Sequence, residues 1–557
     1  MNLLKVDMAE GRTRVEPLPD DKVLGGRAII DWYMTEHTSP GVHPLAGGNP
    51  FIVAAGLLAG TTAPSSGRLS VGGKSPLTGG IKEANVGGAF GHKLGRLGFL
   101  GIVVEGKASQ WQVMRLDSRG STLEPAGDIL GLDNYDACEK LRGRYGQEIA
   151  VIITGPAGER RYANSTVAGT DVGGRPCRHA ARGGVGAIMG AKRLKAIVID
   201  DAGTSFRKAV DGPAFRAAVK GALDAMKNAP YGQKLVTHST ASFVDVDNNR
   251  GSLQTNNYRL GKFDKVGGIN ADRFIELNKD RGGSMGHGCM PGCVVRCSNI
   301  FHDAKGRYVT AGLEFETLAL LGSNLGIGDL DAVARMDRKC DGIGIDTVDT
   351  GCAIGILNDV GLFQFGDAAR AEALIEEIAK DTLMGRVLGN GADVTAKVFG
   401  IDRVPTVKGQ AIAAHAARSS KGWAVTYATS PQGADHTAGP VGAGDHLSPV
   451  GQVAISRISQ IVNTALDATG LCHFTFSYKY PEIIAPLINA FYGLSLTYED
   501  LLEMGKEMLR QERAFNLKAG IGPGADRVPE WMRTEPLAPT GGVFDVPQEE
   551  IDGFFNF

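Results

Sequence analysis

The 557-residue sequence has no run of about eighteen apolar residues, the length a membrane span needs. The longest near the start, Phe51 to Leu58, has the length of a strand. No membrane insertion is therefore expected. Neither sign of charge is in excess: 59 Lys and Arg face 61 Asp and Glu, for a net charge of -2 and a pI near 6.6. Without a positive surplus there is no bulk field to hold a nucleic-acid backbone, so no nucleic-acid partner is expected. Cysteine is scarce, at eight, too few for a disulfide scaffold of this length. The first residues, Met1 to Asp7, lack the charged-then-apolar layout of a secretory leader and carry no twin arginine. A cytoplasmic location is the expectation. In a reducing compartment, clustered cysteines point to metal or redox chemistry.

Glycine is plentiful: 78 residues, about twice ordinary usage. There is no collagen-like period, so the glycines imply tight turns and close approaches of backbone. Hydrophobic residues at 43% and charged residues at 22% exclude disorder and a coiled coil. Residues 1–205 read as strand-rich. Short β-prone runs such as Phe51–Ala54, Gly101–Glu105, Ile149–Thr154 and Ala196–Asp200 are separated by Gly, Pro, Ser and Asn. One helix is expected near Tyr135–Tyr145. Beyond Asp201 the period turns helical: Pro213–Lys227, Phe315–Gly322, Leu330–Cys340, Thr347–Leu357, Ala368–Asp381 and Ala454–Asp467. A last helix starts at Thr497-Tyr498-Glu499-Asp500, a capping-box entry, with a stripe of Leu501, Met504, Met508 and Phe515. The expectation is an α+β protein. A β-rich base domain (1–205) precedes two mostly helical domains (206–405 and 406–557), and no internal repeat of 20–50 residues is visible.

Three cysteines fall within nine residues, Cys289-Met-Pro-Gly-Cys293-Val-Val-Arg-Cys297. Thiolates this close in a Gly/Pro loop can converge on an iron–sulfur cluster whose fourth ligand comes from afar. A four-thiolate zinc site is the rival reading. The remaining cysteines are unclustered, and Cys472 lies in Asp467-Ala468-Thr469-Gly470-Leu471-Cys472-His473. That pattern occurs upstream as Asp341-Gly342-Ile343-Gly344-Ile345-Asp346-Thr347. In each copy an acid ends a helical segment and glycine terminates it. A carboxylate accepts two parallel N–H bonds in fork geometry. An arginine offers that pair, and so does the amino-pyrimidinone edge of a pterin.

With these motifs the chain resembles the tungsten-containing aldehyde:ferredoxin oxidoreductases. The doubled Asp-x-x-Gly motif, the cysteine cluster and the distant Cys472 match in order. Ser66-Gly67-Arg68-Leu69-Ser70-Val71-Gly72-Gly73-Lys74-Ser75-Pro76-Leu77-Thr78-Gly79 and Glu83-Ala84-Asn85-Val86-Gly87-Gly88 are similar to the family's N-terminal signature. The resemblance runs from about residue 1 to 520. It implies a tungsten (or molybdenum) bis-pterin cofactor, buried between the domains, beside one [4Fe-4S] cluster, and it allows a magnesium ion bridging the pterin phosphates. Carried over by position, Arg68 and Asn85 would meet the phosphates. Asp341 and Asp346 would hold one pterin and Asp467 the other, with Leu471 offering its backbone. Arg182-Gly183-Gly184-Val185-Gly186-Ala187 resembles a further backbone approach to the cofactor, so Arg182 and Gly183 join the expected set. Cys289, Cys293, Cys297 and Cys472 would bind the cluster. The family spacing is usually Cys-x2-Cys-x3-Cys, whereas here it is Cys-x3-Cys-x3-Cys. A loop absorbs one extra residue at small cost.

Aldehyde oxidation needs a group to move protons, and histidine titrates in the useful range. His436, in Gly433-Ala434-Asp435-His436-Thr437, and Glu316, with Glu314 its competitor two residues away, resemble the family's active-site pair. The implied partners are an aldehyde or related carbonyl substrate and ferredoxin or an iron–sulfur subunit, in a homodimer or larger complex. Competing readings are a catalytic subunit of a multi-subunit reductase of the same family acting on an aromatic thioester, a radical S-adenosylmethionine enzyme, and a zinc-stabilised binding module.

Overall fold

The computed structural model describes residues 1–19, 22–229, 232–442, 444–475 and 481–557. The first two hundred residues form two six-stranded sheets. One has the order β2-β1-β6-β3-β4-β5, built from β1 (Asn2–Asp7), β2 (Arg12–Pro17), β3 (Phe51–Ala55), β4 (Leu69–Lys74), β5 (Ile81–Val86) and β6 (Phe99–Glu105). The other contains β7 (Gln112–Asp117), β8 (Gly120–Pro125), β9 (Ala150–Thr154), β10 (Val167–Gly169), β11 (Arg178–Ala180) and β12 (Leu194–Ile199). Its order, β11-β10-β9-β12-β7-β8, is the first sheet's with every strand number raised by six and read from the opposite end. The one parallel pair of each sheet also corresponds, β1 with β6 and β7 with β12. The base is thus a structural duplication with a period near one hundred residues, too long and too diverged to register as a short repeat.

Strand alternation decides which side chains join the sheets. Met114, Leu116, Ala150, Ile152, Ile197 and Ile199 face a core shared with the first sheet. The intervening Val113, Val151, Ile153, Ala196 and Val198 pack on Ala137, Cys138 and Leu141 of the helix Asn134–Tyr145. Successive strand residues point to opposite faces, so a strand buried on both sides reads as a continuous apolar run. Each such Val, Leu, Ile or Met side chain contributes about 1.5–3 kcal/mol. The helix Arg27–His37 covers the first sheet and was not expected from the sequence. It buries Arg27 and Asp31 along with its apolar residues, so it has no polar face for a periodicity to reveal.

After Ile199 the chain is mainly helical. The expected helices Pro213–Lys227, Leu330–Cys340, Thr347–Leu357 and Ala368–Asp381 appear within a residue or three as Gly212–Lys227, Leu330–Ile343, Thr347–Ile356 and Ala368–Ala379. Thr497 and Asp500 close the capping box of Tyr498–Lys518, and Leu501, Met508 and Phe515 are buried beneath that helix. One expectation is corrected. Phe315–Gly322 is not a single α-helix but a short turn, Phe315–Thr317, followed by a π-helical turn, Leu318–Gly322. Such widened turns recur at functional sites. The largest apolar core draws on residues from Ala157 to Phe554, on both sides of position 405. A second joins Phe215, Ala222 and Met226 to Leu466, Leu487, Phe491 and Leu501.

Two seams fasten this helical part to the base. Leu57 and Leu58 N–H donate to Ala468 and Thr469 carbonyls, Arg68 N–H to Gly470 and Cys472 N–H to Ser65, all at 2.9–3.0 Å. On the other half, Thr166 N–H donates to the Gly344 carbonyl at 2.9 Å and Asp346 N–H to Asn164 at 3.2 Å. Each copy of the Asp-x-x-Gly motif is therefore seated on one half of the duplicated base. The glycine after β3 and the one after β9 make the approach possible: a Cβ on Gly56 would lie 2.1 Å from Gly470 N, and one on Gly155 2.3 Å from the Ile343 carbonyl. Both obstacles are backbone, so they cannot swing aside. Gly56→Ala is expected to lower stability by about 1–3 kcal/mol, the cost of forcing an extra methyl into a packed seam. Denaturant unfolding checks this, and an unchanged midpoint would show the seam to be loose.

Candidate active site

The loop 288–297 joins the strands Ser284–His287 and Ser298–His302, and Cys472 follows the helix Gln452–Thr469. The four thiols meet although 183 positions separate Cys289 from Cys472 (472 − 289). Cys289, Met290 and Cys472 form a small buried cluster against which Cys293 packs. A hydrogen bond to Cys293, then burial, raises the Cys289 thiol well above its ordinary range. Burial, Glu314 and the other thiols raise Cys297 likewise, and burial raises Cys472. Cys293 is lowered by the hydrogen bond from Cys289. Metal ligands must be thiolates, and this pocket opposes four anions unless positive charge lies among them. Arg68 and Arg178 already lean on it, each opposing the rise at Cys289. A Cβ on Gly87 would stand 2.9 Å from Cys289 Sγ and 3.4 Å from Arg68 Nη1, so bare backbone lies between thiol and guanidinium. Among the described residues no group of three or more His, Cys, Asp or Glu is arranged to hold a single metal ion.

Arg68 Nε hydrogen-bonds Asn85 Oδ1, on β5. The duplicated base places a counterpart on the other half. Asn85 lies across from Ser70, the second residue of β4, and His179 across from Ala168, the second residue of β10. Arg68 precedes β4 as Thr166 precedes β10, and Thr166 Oγ1 bonds His179 Nδ1 at 2.7 Å. His179 Nε2 then lies 3.1 Å from Asp341 Oδ1, and the Tyr135 hydroxyl donates to Asp341 Oδ2 at 3.1 Å. Asp467 is met by Arg27 Nη1 at 3.2 Å, while Arg27 Nε and Nη2 fork onto the fully buried Glu512 at 2.8 Å each. Bidentate pairing of this kind fixes orientation as well as charge.

The two motif acids that sit on opposite halves thus have different partners. Asp346 caps the helix Thr347–Ile356, accepting from Val348 and Asp349 N–H at 3.1 Å each, with Arg182 Nε 3.3 Å away. Burial raises Asp346, against Arg182 and the cap. Burial, then Glu83, pushes Asp467 up to about 8, against Arg27 and Arg68. A carboxyl raised above its unfolded value near 3.8 stabilises the fold fully below that value and loses the contribution as pH rises through the folded value. Thermal stability of the metal-free protein is therefore expected to fall between about pH 4 and pH 8, and Asp467→Asn to flatten that fall. A pH series of melting curves on both proteins reads it; parallel curves would refute it.

Glu316 and His436 come together, His436 Nε2 lying 3.5 Å from Glu316 Oε1, while Glu316 Oε2 accepts the Ala414 N–H at 2.7 Å. Glu316 sits at the junction with the π-helical turn. Glu314 points elsewhere, to Thr240 and Arg178. Next to His436, Asp435 is fully ionised: burial resists, but Lys82 at 2.5 Å, Arg182 and His436 hold it well below the usual carboxylate range. Arg182 is buried and hydrogen-bonds the Ala411 and Ala434 carbonyls through Nη2, and among the described residues Nη1 has no partner. The Gly183 carbonyl accepts from Ser75 Oγ at 2.7 Å. Leu471 is buried, its N–H held by Thr469 Oγ1 at 3.1 Å. The spare donors at Arg182 suit an anionic group and the acids of both halves suit N–H donors, so a heterocycle carrying both kinds of group fits this donor set.

Family models for aldehyde ferredoxin oxidoreductases match nearly the whole chain: the N-terminal domain over residues 3–201, and domains 2 and 3 over residues 217–553. The chain belongs to the aldehyde ferredoxin oxidoreductase family. It is an oxidoreductase, 30% identical to the tungsten-containing aldehyde ferredoxin oxidoreductase of Pyrococcus furiosus over 96% of this chain and 91% of that one. The corresponding enzyme of Thermococcus kodakarensis is 29% identical over the same shares. An aliphatic sulfonate oxidoreductase, WOR-like subunit, of Pyrococcus furiosus is 24% identical over 93% of this chain and 86% of that one. Among solved structures, the active-site complex BamBC of benzoyl coenzyme A reductase has the same fold, with a TM-score of 0.83 at 18% identity over all of this chain and 93% of that chain.

No sequence motif marks several groups in this family member: His179 and Tyr135 at Asp341, Arg27 and Glu512 at Asp467, and Arg178 at the thiols. The signal for His179 exists only once the duplication is known, because it stands where Asn85 stands in the other half. Among the described residues no helix is long and apolar enough to cross a membrane.

Proposed function

We propose that this protein oxidises aldehydes to carboxylates, or runs the reverse reduction, at a tungsten (or molybdenum) bis-pterin centre, passing electrons through a [4Fe-4S] cluster to ferredoxin in the cytoplasm. The observation that carries the reading is the Glu316–His436 contact, together with the two Asp motifs each seated on one half of the base and Cys472, beside the second motif, packed with Cys289 and Cys293. In the oxidising direction the balance is RCHO + H2O → RCOO⁻ + 3 H⁺ + 2 e⁻, with two oxidised ferredoxins taking one electron each. The bound centre would supply a Lewis acid for the carbonyl and the first seat for the electrons.

The chain's own residues do the rest. Asp341 and Asp346 on one half and Asp467 on the other would accept N–H groups of the two rings, and Leu471 would offer backbone. Arg68 and Asn85 would meet the phosphates, with or without magnesium, and Arg182 and Gly183 would add a buried donor and a close backbone. Cys289, Cys293, Cys297 and Cys472 would bind the cluster. Glu316, pinned by Ala414, takes a proton from the attacking water, and His436 opposite it shares that proton. Residues 1–205, 206–405 and 406–557 act as the base and two helical domains.

Aldehyde-dependent reduction of a dye, assayed anaerobically on metal-replete protein, tests the proposal together with metal analysis. Turnover with tungsten or molybdenum and about four irons supports it; inactivity across a broad aldehyde panel counts against it. A second reading is a catalytic subunit of a multi-subunit reductase acting on an aromatic thioester. The full-length likeness to a chain of the benzoyl coenzyme A reductase complex favours it, and a co-purifying iron–sulfur subunit would select it.

A further inference from the structure

Beside the Glu316–His436 pair lies another histidine that no motif marks. Ala414, whose N–H pins Glu316 Oε2 at 2.7 Å, is followed directly by His415. His415 Nδ1 meets Asp247 Oδ2 at 2.6 Å. Asp247 is buried on the helix Ser242–Arg250. The imidazole is held in plane by Trp423, stacked at 4.3 Å and 14°, and by Phe315, tilted at 5.0 Å. The His415 carbonyl accepts the Tyr427 hydroxyl at 3.3 Å. Among the described residues no hydrogen bond reaches Nε2.

Ala414 ties this pair to Glu316, and the side chains of Glu316 and His415 are both partly buried. Also near His415 are Arg250, exposed at its helix end, and His446, half-buried in the stretch 444–450. Asp247, Glu316, Arg250 and His446 are the titratable and charged groups that His415 feels, with Tyr427 above its backbone. Burial disfavours the imidazolium and Arg250 opposes it, but Asp247 and Glu316 outweigh both and raise His415 above its ordinary value. A histidine with one nitrogen fixed by a carboxylate and the other open is arranged to carry a proton.

We propose that the Asp247–His415 pair is a proton-transfer station between Glu316–His436 and solvent at the 444–450 stretch. Glu316 gives a proton to His415 Nε2, Asp247 holds the imidazolium through Nδ1, and Nε2 then gives the proton to water on the loop side. The three protons to be carried per turnover rest on the aldehyde reading; the coupling of His415 to Glu316 and Asp247 does not. His415 is a positioning and relay residue, acting through Glu316.

Three variants of the holoenzyme test it. His415→Gln keeps the size and polar contact of the ring but cannot relay, and is expected to lose about 100-fold in kcat, with a raised solvent isotope effect. His415→Ala is expected to regain part of its rate when imidazole is added to the buffer, which a merely structural role would not allow. Asp247→Asn is expected to move the His415-dependent limb of the pH profile to lower pH. Independently of turnover, NMR of the histidine-labelled protein should show the His415 ionisation falling to lower pH in both Asp247→Asn and Glu316→Gln. Unchanged rates, isotope effects and pH limbs in the variants, or a His415 ionisation indifferent to both acids, would overturn the proposal. If wild-type protein turns over no aldehyde, the aldehyde reading fails alone, and the NMR coupling then supports the relay if present and overturns it if absent.

Discussion

On the proposed cluster assignment, Cys472→Ala is expected to yield a folded protein that loses its iron and with it nearly all electron transfer. The backbone around Cys472 is fixed without the sulfur: its N–H donates to the Ser65 carbonyl and its neighbours carry the rest of the seam. The side chain, by contrast, is the one thiol that reaches the others from outside the 288–297 loop. Removing it leaves three thiols against Arg68 and Arg178. Changes beyond the ligand sphere typically cost about 10–100-fold in metal affinity, so loss of a ligand is expected to exceed that range. Iron content, the visible absorbance of the cluster and the paramagnetic signal of its reduced form read the result, with circular dichroism as the control for folding. Iron retained at wild-type stoichiometry would remove Cys472 from the ligand set and leave the zinc and three-cysteine readings to be weighed again.

The second large effect is expected at the proposed acid–base pair, Glu316 and His436. Glu316→Gln keeps an oxygen for the Ala414 N–H but replaces the oxygen facing His436 with an amide that takes no proton. The loss in kcat is expected to be about 10²–10⁴-fold, the usual contribution of general acid–base catalysis, with stability little altered. His436→Asn should cost a similar factor. Because the two act as a unit, the double variant should fall little below either single one. A Glu316→Gln enzyme with full activity would move the proton chemistry elsewhere, to His415 first.

How much of this was readable before the structure can be judged residue by residue. The motif at 467–472 was legible because a helix end, an acid and a glycine in sequence have only a few local solutions. The stripe under Tyr498–Lys518 was legible because Leu501, Met508 and Phe515 keep one face. The strands at 167–169 and 178–180 were not, since three residues carry no alternation. Nor was Arg27–His37, whose charges are buried with its apolar residues. The duplication escaped because topology is shared where residues are not: Arg68 and Asn85 on one half answer to Thr166 and His179 on the other. The groups contacting Asp341 and Asp467 lie about two hundred and more than four hundred positions away along the chain, and spacing alone offers no handle on partners so distant. His415 lacked even a motif, and its partner Asp247 lies 168 positions upstream.

The seam around Gly56 also sets a timetable. Residues 56–68 leave the ribosome some four hundred positions before residues 468–472, their partners. Domains tend to fold as they emerge, N-terminal part first, and contacts of long sequence separation form late because their loop entropy must be met first. The newborn base therefore waits some four hundred residues of synthesis for its partner, and the enclosure is finished only when residues 468–472 arrive.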